Sequence, residues 1–295
     1  MADLALIYFY SRQAADYFTH DLNYGSYESP ETITTFTERD CQTRYDIVAQ
    51  TVSILAIHSR RDHPFAPINR EWHELSHHLM RRALPRVVET SIGQREVGYR
   101  DCQRVEHDQN QDGMINFANH GGFNNWNSSD SWIEGWAEFW ACMVATEYDG
   151  RLSPCLYPVS DTGTTVNMET NWRIWDDSLN LWGQSWLCYD LIQDLQFRCS
   201  VMEEFAVAGL LWDLYDPMDR DDDDHVDLSA RQLWELLTGA NSAELLTMHQ
   251  VYETLARAVG EAHLTNEGGG APVRIEDLDQ VFINHGFFWD RNRNH

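Results

Sequence analysis

Five consecutive residues, His73-Glu74-Leu75-Ser76-His77, carry chemistry that the rest of the chain has to position. Side chains four apart on an α-helix differ by about 40° in direction, so His73 and His77 face one way and can hold one metal ion. Glu74, offset by one residue, reaches a metal-bound water without being a ligand. Zn2+ in such a site lowers the pKa of that water towards 7, and Glu74 takes its proton as general base while hydroxide attacks a carbonyl. The plain alternative is a chance match on an exposed helix in a chain with 13 histidines. His78 points elsewhere on the helix and is expected at the surface or behind the metal ligands.

A catalytic zinc takes three protein ligands and leaves one position open. The metzincin pattern requires Gly and His where this chain has Met80 and Ala83, which excludes that class. The better source of the third ligand is the segment Ser131-Trp132-Ile133-Glu134-Gly135-Trp136-Ala137-Glu138-Phe139. Here the sequence resembles gluzincin peptidases, in which a downstream helix carries a glutamate ligand. More particularly, it looks like poorly characterised secreted bacterial and archaeal proteins that combine H-E-x-x-H-H with a later W-x-E-G-x-A-x-F helix.

The resemblance implies Glu134 as the third ligand and Glu138, one turn later, as the carboxylate that hydrogen-bonds a zinc-bound histidine. An ordinary solvated helix face is the alternative for both. The surrounding Trp, Phe and Ala argue for burial, and buried carboxylates need a strong partner. Leu211-Trp212-Asp213-Leu214-Tyr215-Asp216 and Phe282-Ile283-Asn284-His285-Gly286 also look like that group, so the resemblance covers most of the chain. Two features depart from it. The stretch from His77 to Glu134 is longer than in compact thermolysin-like sites, and no motif marks the residue that stabilises the oxyanion. His120, Tyr189 and Tyr215 are candidates for that role.

Two acidic loops suggest Ca2+. Asp108, Asn110 and Asp112, followed by Gly113 and Ile115, have the spacing of a calcium loop, with Asn119 where a bidentate Glu is usual. Asp219, Asp221 and Asp223 repeat the alternation, but Asp224 takes the glycine slot. Solvated acidic loops are the alternative for both.

These residues need elements to hold them. Residues 4–20 have apolar positions at helical spacing. Residues 32–36 and 47–55 are rich in β-branched residues and read as strands of a small sheet. Pro64 and Pro67 precede a helix running to about residue 82, before Pro85. Residues 86–128 read as loop, and Ser129 or Asp130 caps a second strong helix ending near residue 148. A long helix is expected over residues 184–215, with shorter ones near 229–239, 242–260 and 274–284. The expected fold class is α+β and zincin-like: a small N-terminal β-sheet with the active-site helix, then a mainly helical C-terminal half. Residues 1–295 form one metallopeptidase-like catalytic unit, with a β-containing subdomain at 1–85 carrying the HExxH helix. The mainly helical remainder, 86–295, carries the glutamate helix.

The 295 residues are 43% hydrophobic and 12% aromatic, ample for a sizeable core. Asp and Glu number 47 against 21 basic residues, all arginine, giving a net charge of -26. That charge makes nucleic acid an unsuitable partner and suggests a high-salt or harsh extracellular setting, genomic codon bias being the alternative. No apolar run is long enough to span a membrane, and no signal peptide is visible. The six cysteines form no CxxC pair and suit either disulfides or free buried thiols. Cys188 and Cys199 on one helix would lie about 16 Å apart, too far to bridge.

The expected activity is therefore zinc-dependent hydrolysis of a peptide or protein substrate, in an extracellular or cell-surface protein of open oligomeric state. The alternative is a calcium-stabilised extracellular structural or binding protein with this fold and little or no activity. A metallopeptidase-type toxin domain is a third reading. An intact Glu74 favours the enzyme.

Overall fold

The computed structural model describes residues 2–25, 27–30, 32–36, 44–46, 51–55, 70–84, 129–149, 156–158, 165–167, 175–176, 181–182, 203–215, 225–239, 245, 248–267 and 270–285. Its helices are α1 (Ala2–Asp16), α2 (Arg70–Ala83), α3 (Ser129–Asp149), α4 (Glu203–Asp213), α5 (Ala230–Thr238), α6 (Met248–Gly260) and α7 (Ile275–Asn284).

The helix α1 runs on into a π-helical turn, Tyr17–Asp21, that buries Tyr17 and Phe18. Asn23 ends it at φ 55, a left-handed conformation that Asn tolerates better than most residues. The Tyr24 N–H then returns to the Phe18 carbonyl at 3.1 Å. On α2 the apolar residues Trp72, Leu75, Leu79 and Met80 are buried, while Pro85 cannot extend the helix. Its first turn is tied to α1, where Trp72 Nε1–H donates to the Tyr10 carbonyl at 3.0 Å and the two rings meet edge-on at 5.3 Å.

The centre of the molecule is α3. Trp132, Trp136, Phe139, Trp140, Cys142 and Val144 are all fully buried, because α3 packs against α2 and α4 and also touches α1 and α6. A helix with large apolar side chains on most of its surface has to be enclosed in this way. Trp132, Trp136 and Trp140 recur every four residues, so their rings meet edge to face along one side of the helix at 5.4 and 5.6 Å. Trp234 of α5 closes on that ladder, 5.8 Å from Trp136 and 5.7 Å from Trp140. Local signals set α5 as well: Ser229 and Gln232 form a reciprocal capping box at its start. At the far side, His285 Nε2 lies 2.7 Å from Asp213 Oδ2, joining the end of α4 to the turn after α7 with both side chains buried.

The α+β expectation is corrected. Where side chains as well as backbone are described, the chain is helical and contains no strand. Most side chains of the described core come from helices, with Val226, Leu228, Leu245, Leu264 and Val273 added from the segments between them. Extended backbone does pair over short stretches: β1 (Thr32–Phe36) runs parallel to β3 (Thr51–Leu55), and β2 (Arg44–Asp46) antiparallel to it, in the order β1-β3-β2. Three- and two-residue antiparallel pairings occur at β4 (Leu156–Pro158) with β5 (Thr165–Asn167) and β6 (Trp175–Asp176) with β7 (Leu181–Trp182). None of these makes a layer of the described core. The β-branched runs favour extended backbone locally, but a fold class is decided by which faces bury each other. Here those faces belong to α2, α3 and α4.

The expected helix over 184–215 is described only as α4, and the expected loop over 86–128 lies outside the described residues. No helix among the described residues is long and apolar enough to cross a membrane.

Candidate metal centre

Two helices build the site from their facing sides. The α2 helix supplies His73 and His77, one turn apart as their spacing requires. Glu134 and Glu138, also one turn apart, come from α3. The Trp132, Trp136 and Trp140 positions lie on the opposite face of α3, so the indole ladder anchors the helix while the carboxylates meet α2.

Three donor atoms converge. Nε2 of His73 and Nε2 of His77 are 3.0 Å apart, and each lies 3.3 Å from Glu134 Oε2. A tetrahedral ion with Zn–N and Zn–O bonds near 2.0–2.1 Å has ligand-to-ligand edges of about 3.3–3.4 Å, so this triangle has the right size for one face of such a site. The imidazoles stand perpendicular, 90° between planes with centroids at 4.6 Å. The group is able to hold a metal ion, and among the described residues no other such group of three converges.

The electrostatics favour a cation there. Burial pushes the His73 imidazole towards its neutral form, but Glu138 and then Glu134 outweigh it and hold the pKa well above the ordinary histidine range. Burial likewise pushes the Glu134 carboxyl up, and His77 and His73 overcome it to hold the pKa well below the ordinary carboxylate range. A pocket that stabilises an imidazolium against its own desolvation also suits a divalent ion.

Glu138 stands behind His73. Its Oε1 approaches Nδ1 at 3.2 Å, an ion-pair contact without the alignment of a good hydrogen bond. Its other oxygen is buried and accepts no hydrogen bond, so the cost of burying this carboxylate is offset chiefly at His73. The contact favours a proton on Nδ1 and leaves the Nε2 lone pair for a metal. Glu74 is buried, at 6% exposure, and sits about 100° around α2 from His73.

The remaining sequence candidates divide into two groups. Asp108, Asn110, Asp112, Asp219, Asp221, Asp223, His120 and Tyr189 lie outside the described residues. Tyr215 is described just past the end of α4. Its ring packs on Trp212 at 5.7 Å and Phe139 at 6.5 Å.

Sequence reasoning undervalued His78. It is 3% exposed rather than at the surface, and its Nε2–H donates to the Glu28 carbonyl at 2.8 Å. Burial lowers its pKa. The Asp213–His285 pair was also missed as a pair, though both residues lie in motifs that drew attention; nothing in either motif says that they meet.

Protein-family models, curated proteins and solved structures give no match to this chain.

Proposed function

We propose that this chain is a zinc-dependent peptidase of the gluzincin type, cleaving peptide bonds with an activated water and using Glu74 as general base. The supporting observation is the 3.0–3.3 Å triangle of His73 Nε2, His77 Nε2 and Glu134 Oε2, with an intact, buried Glu74 on the same helix. A purely structural metal site has no use for a carboxylate at that position. Bound zinc supplies Lewis acidity, polarising a substrate carbonyl and bringing the pKa of water into the neutral range.

The chain's own residues do the rest. His73, His77 and Glu134 hold the metal, and Glu138 fixes the His73 ring and its tautomer. Glu74 accepts the proton of the attacking water and later delivers it to the departing amine. An extracellular or cell-surface setting belongs to the same proposal. It is supported by Cys142, which is disulfide-bonded, since such bonds persist in oxidising compartments.

Metal analysis paired with proteolysis of an unfolded protein substrate tests the reading. Glu74→Gln should retain zinc and lose activity by about a hundredfold or more. Zinc-loaded wild type as inert as Glu74→Gln, across varied unfolded substrates, would end the peptidase proposal.

A further inference from the structure

The residue following the second metal-facing histidine grips a different part of the chain. His78 Nε2 meets the Glu28 carbonyl at 2.8 Å; a carbonyl only accepts, so this nitrogen carries the proton. One turn later the Arg82 guanidinium pairs with the Glu28 carboxylate at 2.5 Å. The Tyr27 ring stands edge-on to the His78 imidazole at 6.0 Å and packs on Phe18 at 5.2 Å. Residues 27–30 thus form a strap held on α2 by His78 and Arg82, and on the N-terminal helix by Phe18. Around the helix axis, His78 and Arg82 lie about 120–160° from the mean direction of His73 and His77. The strap therefore grips the back of α2.

We propose that His78 is a positioning residue for the metal centre, setting the rotation of α2 so that the His73 and His77 imidazoles meet Glu134 at metal-binding distance. The inference rests on the metal-binding reading of those three residues. Its physical basis is a tolerance argument. A helical turn of 20° about its own axis moves a side-chain tip by about 2 Å, whereas metal–ligand distances are held within about 0.2 Å. Apolar contacts made by Leu75, Leu79 and Met80 resist separation of the helices but are not directional. The hydrogen bond from His78, with the Trp72 Nε1–H bond to Tyr10 on another flank, is directional and opposes rotation.

The test uses the full chain and measures zinc affinity by competition with a chromophoric chelator. His78→Leu, which keeps volume and loses the donor, should bind zinc about tenfold more weakly. His78→Gln, whose amide nitrogen reaches the same carbonyl, should recover most of that loss. Val251→Ala, a cavity in α6, which supplies no metal-facing residue, serves as the destabilised control and should bind zinc like wild type. Arg82→Gln loosens the same strap from the surface and should show a smaller loss, which keeps the test open where His78→Leu fails to fold. Wild-type affinity in both His78→Leu and Arg82→Gln, or a loss in Val251→Ala as large as in His78→Leu, overturns the positioning role. Failure of wild type itself to bind zinc overturns the metal reading instead, and the positioning role with it.

Discussion

His73 Nδ1 lies 3.2 Å from Glu138 Oε1 while the other nitrogen of the same ring lies 3.3 Å from Glu134 Oε2. One imidazole is thus held between two carboxylates from consecutive turns of α3. The outer carboxylate orients the ring, and the inner one shares the metal-facing corner with it. Removing the charge of Glu138 should therefore weaken metal binding without touching a ligand. Glu138→Gln is expected to lower zinc affinity by about 10–100-fold, measured by chelator competition. Unchanged affinity would show that His73 is oriented by packing alone.

His73 and Glu134 make opposite contributions to the pH dependence of the metal-free protein. The His73 pKa is raised, so its stabilisation is full below its ordinary value and is lost as pH rises through the higher folded value. The Glu134 pKa is depressed, so its stabilisation is present above its ordinary value and is lost as pH falls through the lower folded value. Their joint contribution is greatest between the ordinary values of 4.5 and 6.5. Zinc requires His73 Nε2 unprotonated, so zinc uptake near neutral pH should release about one proton from this ring. Calorimetry in buffers of different ionisation enthalpy reads that number; no proton release near pH 6.5 would contradict the charged triad.

The core prediction concerns α3. Trp136 is fully buried and its ring touches those of Trp132, Trp140 and Trp234. Trp136→Ala should cost about 3–5 kcal/mol in urea unfolding, and Trp136→Phe distinctly less. A loss under 1 kcal/mol for the alanine variant would mean that the indole ladder does not anchor this helix.

A net charge of -26 repels itself, and screening by salt relieves that repulsion. Raising NaCl from 0.1 to 1 M should lift the melting temperature by on the order of 5 °C. A melting temperature that falls over this range would place the stabilising electrostatics in attractive pairs rather than in relief of repulsion.

The sequence made the local parts of this site legible and left the long-range parts open. The α2 boundaries follow from Pro67 and Pro85, and α3 from its polar start and the Trp-, Phe- and Ala-rich stretch that follows, both strong local signals. That His73 and His77 share a face follows from helical spacing alone. The approach of Glu134 to them is a fact of packing between two helices far apart in the chain, and came only from the resemblance. The β-branched residues 32–36 and 47–55 carry a local preference for extended backbone, which points to strands of a small sheet. No local preference states what a face will bury, and the described core turned out helical. His78 fails to stand out for the same reason: its partner is a main-chain carbonyl, which has no sequence signature.

The central claim is that His73, His77 and Glu134 together hold one zinc ion. Elemental analysis of purified protein, after dialysis against zinc and then against zinc-free buffer, tests it most directly when wild type, Glu74→Gln and Glu134→Ala are compared. One zinc per chain is expected in wild type and Glu74→Gln, and far less in Glu134→Ala. A wild-type protein that retains none, or a Glu134→Ala protein that retains a full equivalent, would contradict the account.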